Sequence, residues 1–451
     1  MPTTGRPFLG DSCLTCIEVL IGTMFPSRRS VALSGGVVES EKVTLSTLVR
    51  LICVERVGLN ANVRRVWERF WTPKRQKVYS ILLVGLAIFW TVAFSAYRGV
   101  RDKQYGADFI VFYATSGLTL DGVPEQAYVP EEIYNRELLI ADDAAPDPFR
   151  YPPPFLLALA PLALAPYAVA LIVWLSATGA ALATSVRRLF TGWSGLLTLA
   201  VFPSAFVNAT YGQNGFLTAA LIGGGLSLLD RRPAAAGVLL GGLMYKPQFL
   251  VVTLLGLLVA RRWKALGFLS VSVAILSLLS YLLLGSDVWV AFYDSGKMSV
   301  DSMYIREIAT AHVSALTFGV LLGLPRLVSQ ILQVAVALPA LGVVAVAWIR
   351  PTRPAIRNSV TVVGTLVVSP YVFHYDMVML IPVLGWLMVE AARWGWPKYQ
   401  KQLLGVSLAA PLWSFGLTSV TNLQLGWVAL VALLASMAMG ILRSDSVPAE
   451  T

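Results

Sequence analysis

From residue 79 to residue 442 the chain alternates apolar runs with short polar breaks. A helix needs about 20 apolar residues to cross the hydrocarbon core, fewer where neighbouring protein shelters it. On that scale the pattern predicts spans near 79–97, 167–186, 193–208, 214–229, 234–245, 248–260, 265–284, 327–349, 358–372, 376–392, 402–419 and 425–442. The expected fold is therefore all-α, a polytopic membrane protein of about 12 (10–13) transmembrane helices.

Two long polar connections, 98–166 and 285–326, interrupt the pattern on one side. Within the first, an apolar stretch of about ten residues follows Arg150-Tyr-Pro-Pro-Pro-Phe155 and ends at Pro166, too short to cross and bounded by prolines. A helix lying in the membrane interface fits it, and Val129 to Leu139 carries an amphipathic pattern of the same kind. Three tight breaks fall on that side too: Asn208-Ala-Thr-Tyr-Gly-Gln-Asn214, Tyr245-Lys-Pro-Gln248 and Ser369-Pro-Tyr-Val-Phe-His-Tyr-Asp376. Two of them separate runs barely long enough to cross, which predicts polar groups below the membrane surface in a protein-lined cavity. Asp108, in Tyr105-Gly-Ala-Asp-Phe-Ile-Val-Phe-Tyr113, follows the first span and belongs to this side as well.

The opposite connections are basic: Arg187-Arg188, Arg231-Arg232, Arg261-Arg262-Trp-Lys264, Arg350 with Arg353 and Arg357, and Arg393 with Lys398 and Lys401. Cytoplasmic loops carry such an excess, so these loops orient the protein with its N-terminus inside and the polar breaks outside. Residues 1–78 form a separate N-terminal cytoplasmic segment, with 1–42 predicted to be poorly ordered and 43–73 to lie on the membrane as a basic amphipathic helix. The membrane domain then runs over 79–442, and 443–451 is a tail. No apolar core with a small-residue cleavage site follows Met1, and Met24 is an alternative start.

Composition agrees: 56% hydrophobic and 13% charged residues over 451, with a mean hydropathy of +0.69, describe an integral membrane protein. A net charge of +10 would suit nucleic acid, but most of the 35 Lys and Arg sit in the orienting loops and flanks, which excludes that class of partner and leaves membrane lipids. Cys13, Cys16 and Cys53 all precede the first span, and an odd number there argues against a disulfide framework. Cys13-Leu-Thr-Cys16 is half a zinc site without a second pair, and no HExxH or carboxylate cluster exists elsewhere, so no metal and no cofactor are expected. No Gly-rich phosphate loop is present either; Gly223-Gly-Gly225 and Gly241-Gly242 lie within spans and suit close helix packing.

In order along the chain, Asp108, Arg150-Tyr-Pro-Pro-Pro, Tyr211-Gly-Gln-Asn-Gly215, Gly242-Leu-Met-Tyr-Lys-Pro-Gln248 and Ser369-Pro-Tyr371 leading to His374-Tyr-Asp376 resemble glycosyltransferase family 87. The resemblance covers roughly residues 79–442. It implies a GT-C-type membrane enzyme, similar to polyprenol-phosphate-mannose-dependent mannosyltransferases, in a bacterial plasma membrane. It also implies a polyprenyl-phosphate-sugar donor, a lipid or glycan acceptor, an inverting and metal-independent reaction, and an extracytoplasmic active site.

By position, the resemblance assigns Asp108 as the base that deprotonates the acceptor hydroxyl; the alternative for Asp108 is a cap on a helix over Phe109 to Leu120. The departing phosphate gains negative charge, so cations nearby lower the barrier. Lys246 is the first such cation, because a lysine between apolar runs is costly in lipid unless it faces a cavity, snorkelling to the interface being its other fate. His374, Arg150 and Arg306 are further candidates for the phosphate. Tyr211, Gln213 and Asn214 offer groups for sugar or acceptor hydroxyls, and Asp376 either joins them, orients His374 or forms a structural pair. His312, the other histidine, is a weaker site candidate. The competing class is a transporter or flippase of a lipid-linked sugar, which would share the cavity and the buried cation.

Overall fold

The computed structural model describes residues 106, 108–142, 148–190 and 202–443. The expected N-terminal segment, the first span at 79–97, most of the span expected over 193–208 and the C-terminal tail lie outside them.

Helices follow the apolar pattern closely. In chain order they are α1 (Phe109–Leu120), α2 (Pro130–Leu138), α3 (Pro154–Leu159), α4 (Tyr167–Val186), α5 (Pro203–Tyr211), α6 (Gly215–Leu228), α7 (Pro233–Gly241), α8 (Pro247–Val259) and α9 (Trp263–Leu284). There follow α10 (Asp287–Ser302), α11 (Arg306–Ala309), α12 (Ala315–Leu321), α13 (Arg326–Ile349), α14 (Pro354–Val368), α15 (Leu380–Trp394), α16 (Gln400–Thr421) and α17 (Gly426–Arg443). Short 3-10 turns at Ala160–Leu164, Gly242–Tyr245 and His374–Met379 extend α3, α7 and α15. Proline opens α2, α3, α5, α7, α8 and α14, where its missing N–H is no loss and its fixed φ already suits a helix.

Both helices expected in the first long connection are present, as α2 and as α3 with its 3-10 extension. They are not loose. With α1 they build an aromatic core of Phe109, Phe112, Tyr128, Phe149 and Phe155 that reaches Trp174 of α4 and Tyr245. Phe155 stacks on Tyr245 at 4.6 Å between ring centres. This cap is thus welded by apolar burial to the residue that precedes Lys246.

Among the described residues, five segments are long and apolar enough to cross a membrane: α4, α9, α13, the unit His374–Trp394 and α16. The remaining apolar helices are shorter. α6, with 14 residues, is about 21 Å long at 1.5 Å per residue, some 10 Å less than a hydrocarbon core of about 30 Å. Protein encloses α14 most fully: every residue from Arg357 to Val367 is buried. The glycines predicted to allow close packing do so, since a Cβ on Gly225 would meet Leu240 at 2.7 Å and one on Gly241 would meet Ser272 at 2.7 Å.

Ion pairs define the basic end. Asp230, between α6 and α7, meets Arg262 and Arg357, each at 2.8 Å, and Arg353 meets Glu390 at 2.6 Å. Burial alone would lift the Asp230 carboxyl, but Arg357 and Arg262 outweigh it and hold its pKa below the usual value. Four connections that are far apart in sequence therefore share one end of the helix bundle.

Candidate active site

At the opposite end the polar breaks converge. Gly106 and Asp108 donate their backbone N–H groups to the carbonyls of Thr210 and Tyr211, at 3.1 and 3.2 Å. The start of α1 is thereby laid along the end of α5. Asp108 occupies the N-cap position of α1 but its side chain makes no cap hydrogen bond. Instead its Oδ2 accepts from Gln213 Nε2 at 2.9 Å, across 105 residues of sequence.

Two glycines make that contact possible. The expected turn over 208–214 is tighter in the fold, because α5 continues to Tyr211 and only 212–214 turn. Gly212 stops the helix at φ +71°, the left-handed conformation that glycine adopts without strain, and a Cβ there would sit 2.5 Å from Phe109 Cβ. Gly215 presses its backbone on the next break, where a Cβ would meet the Tyr375 carbonyl oxygen at 2.6 Å. Gly212→Ala is expected to cost about 2–4 kcal/mol, from left-handed strain and overpacking together, and to lower turnover with stability because Asp108 rides on Phe109. Thermal unfolding in micelles measures it; an unchanged melting temperature would contradict the packing.

Lys246 does not snorkel. It is 4% exposed, and its Nζ lies 2.6 Å from Oδ1 of Asp376, itself 1% exposed. The other oxygen of Asp376 accepts from the backbone N–H of Phe373 at 3.1 Å. Asp376 therefore forms the structural pair foreseen as one of its roles, with Lys246 and not with His374. The ammonium lies 5.0 Å from the Tyr375 ring centre and 5.4 Å from that of Phe249, and one of its three protons serves Asp376.

Tyr375 links the acid to the base. Its hydroxyl hydrogen-bonds Tyr151 of the Arg150-Tyr-Pro-Pro-Pro motif and lies within electrostatic reach of both Asp108 and Asp376. Asp108 and the Lys246–Asp376 pair thus both lie within reach of a single buried aromatic side chain. Neither tyrosine stands out in a chain with 16 of them; only their places inside the motifs mark them.

The other candidates are placed differently. Asn214 is fully buried beside Gln213, and neither its amide nitrogen nor its oxygen has a hydrogen-bond partner among the described residues. Tyr211 is partly buried and contributes its carbonyl to Asp108. His374 is buried with both ring nitrogens engaged: Nδ1 on the Ala311 carbonyl at 3.0 Å and Nε2 on Ser414 Oγ at 3.2 Å. It ties the break at 369–376 to the second long connection and to α16. Arg150 is partly buried and close enough to His312 and Tyr371 to act on both. Burial lifts the Tyr371 phenol to about 12 despite that cation. Arg306 stands exposed at the head of the four-residue helix α11, outside these contacts. Among the described residues no three His, Cys, Asp or Glu side chains gather as a metal would require.

A helical membrane protein that buries a Lys–Asp pair at the end of the bundle covered by a cap of short helices is built to act on something polar within the bilayer's reach. Residues 149–370, which include the Arg150, Tyr211–Gly215 and Lys246 motifs, match the model of Glycosyltransferase family 87. The chain belongs to that family and is a membrane glycosyltransferase, acting on a sugar donor and an acceptor. No curated protein and no solved structure matches it.

Proposed function

We propose that the protein moves a hexose, mannose foremost, from a polyprenyl-phosphate donor to a hydroxyl of a lipid or glycan acceptor. The reaction belongs to the extracytoplasmic face of a bacterial plasma membrane, in a GT-C-type bundle of about twelve crossings in which the basic loops face the cytoplasm. Short helices such as α6 and α8 then begin below the outer surface, which suits a donor whose phosphate lies at the headgroup level and whose polyprenyl chain stays in the lipid.

The observation that supports this reading is that Asp108 lies within electrostatic reach of Tyr375, whose ring centre is 5.0 Å from Lys246 Nζ. In the step proposed, the acceptor oxygen forms a bond to the anomeric carbon as the bond from that carbon to the phosphate oxygen breaks. The acceptor proton goes to Asp108, the electron pair of the broken bond goes to the polyprenyl phosphate, and the configuration inverts. Lys246 and Arg150 stabilise the charge that gathers on the departing phosphate, and Asp376 serves as the counter-ion that keeps Lys246 tolerable when the site is empty. His374 then acts by bracing the 369–376 break, Gln213 holds the Asp108 carboxylate in one orientation, and Tyr211, Asn214 and Gln213 present groups to sugar or acceptor hydroxyls. No metal takes part.

A panel of polyprenyl-phosphate hexoses and one nucleotide hexose, offered to the purified protein in lipid nanodiscs, tests the donor. Sugar transfer from a polyprenyl-phosphate hexose alone is the expected result. Transfer from the nucleotide sugar alone would overturn the donor assignment.

A further inference from the structure

His312 lies in the turn between α11 and α12 and is held on three sides. Its Nδ1 is 2.9 Å from the carbonyl of Ile308, and a carbonyl can only accept, so that nitrogen carries the proton and Nε2 keeps a lone pair. Its ring packs 4.0 Å from that of Phe373 and 5.9 Å from that of Tyr371. Its backbone forms an isolated antiparallel bridge with Phe373, and Val313 donates to the Val372 carbonyl at 2.6 Å. The ring is therefore fixed in position and in tautomer.

Nε2 has no hydrogen-bond partner among the described residues although the side chain is 1% exposed. A buried acceptor left unpaired is destabilising, and native folds retain few of them without a reason. The contrast with His374, whose two nitrogens are both satisfied inside the protein, is direct. The groups that act on the ring electrostatically are Arg150 and His374, both at the site end of the bundle. Burial also holds the imidazole pKa down to about 4, so the ring is neutral across the physiological range. A neutral ring whose one N–H is spent has nothing to offer a phosphate. It can only accept from a donor.

We infer that His312 Nε2 accepts a hydrogen bond from a hydroxyl of the bound substrate, on either the transferred hexose or the acceptor. His312 is thereby a substrate-binding residue distinct from the phosphate-binding cations. The inference rests on the glycosyl-transfer reading above.

The test uses the full-length protein in nanodiscs with a polyprenyl-phosphate hexose, an octyl hexoside as acceptor, and the monodeoxy analogues of each. In Asn the side-chain amide reaches the Nδ1 position, and in Gln it reaches the Nε2 position. His312→Asn should raise the KM of one substrate about tenfold at an unchanged melting temperature, the loss expected for one neutral hydrogen bond, while His312→Gln recovers most of it. One monodeoxy analogue should lose the same factor with the wild type and nothing further with His312→Asn. If that analogue is a donor the hydroxyl is on the hexose, and if it is an octyl hexoside it is on the acceptor. Wild-type KM values in His312→Asn, or losses that add for every analogue, would overturn the inference and leave the glycosyl-transfer reading standing. Absence of wild-type transfer from any polyprenyl-phosphate hexose would instead remove that reading, and the inference with it. Should His312→Asn fail to fold, the deoxy series on His312→Leu, which likewise has no acceptor at the Nε2 position, decides by the same additivity.

Discussion

Asp108→Asn should reduce sugar transfer by a factor of about 10² to 10⁴ while leaving the fold intact, the range general-base catalysis by a positioned side chain supplies. The substitution is nearly isosteric, and an amide oxygen can still accept the hydrogen bond that Gln213 Nε2 makes to the carboxylate at 2.9 Å. Backbone contacts to Thr210 and Tyr211 do not involve the side chain. What disappears is a group able to take a proton at that point. The cap alternative predicts activity kept and stability nearly unchanged, because asparagine caps a helix as well as aspartate does, and Asp108 makes no side-chain cap bond. Single-turnover transfer rates set beside melting temperatures measure both quantities. Full turnover by Asp108→Asn would remove the base from the mechanism.

Lys246→Ala should be the most destabilising single change at the site, by about 3–5 kcal/mol, because it leaves the Asp376 carboxylate buried and uncompensated. Its effect on activity alone would therefore be ambiguous. Replacing both partners by apolar residues of similar size, Lys246→Met with Asp376→Leu, removes that uncompensated charge and should recover most of the stability. Transfer should not recover with it. The folded double variant is expected to bind a polyprenyl-phosphate donor at least tenfold more weakly, because a charge-assisted contact to phosphate contributes more than a neutral one. Equilibrium donor binding and unfolding on the same samples separate the two roles. Wild-type donor affinity and rate in a stable double variant would show that Lys246 serves the fold only.

Much of this molecule is readable in one dimension. Hydropathy along the chain located most of the apolar helices from Tyr167 onward to within a few residues, because an apolar run of given length has few options in lipid, whereas α10 to α12, in the polar connection 285–326, were not marked by it. Basic residues marked one end of the bundle and polar breaks the other, and the ion pairs of Asp230 with Arg262 and Arg357 join loops that the charge pattern had already grouped. Both elements of the cap were visible too, from proline boundaries and amphipathic spacing. Motif order carried the family, which is a property of residue identity and spacing and needs no coordinates.

Partnership was not readable. Lys246 and Asp376 are 130 residues apart, and Gln213 and Asp108 are 105 apart. Sequence favoured a cavity for Lys246 but left the lipid interface open, and it offered Asp376 several roles. Only the packing that brings the 369–376 break against α6 and the end of α7 removed those options. The two histidines make the same point. In sequence His374 looked available and His312 marginal, yet the fold spends both nitrogens of the first and leaves one nitrogen of the second unpaired. The residues alone settle that the chain is helical, membrane-embedded, polar at one end and of family 87, because transfer to lipid, charge bias and motif spacing are local quantities. Which side chains meet, which charges cancel and which lone pair is left over were decided by tertiary structure, since those depend on distances between segments that no local pattern encodes.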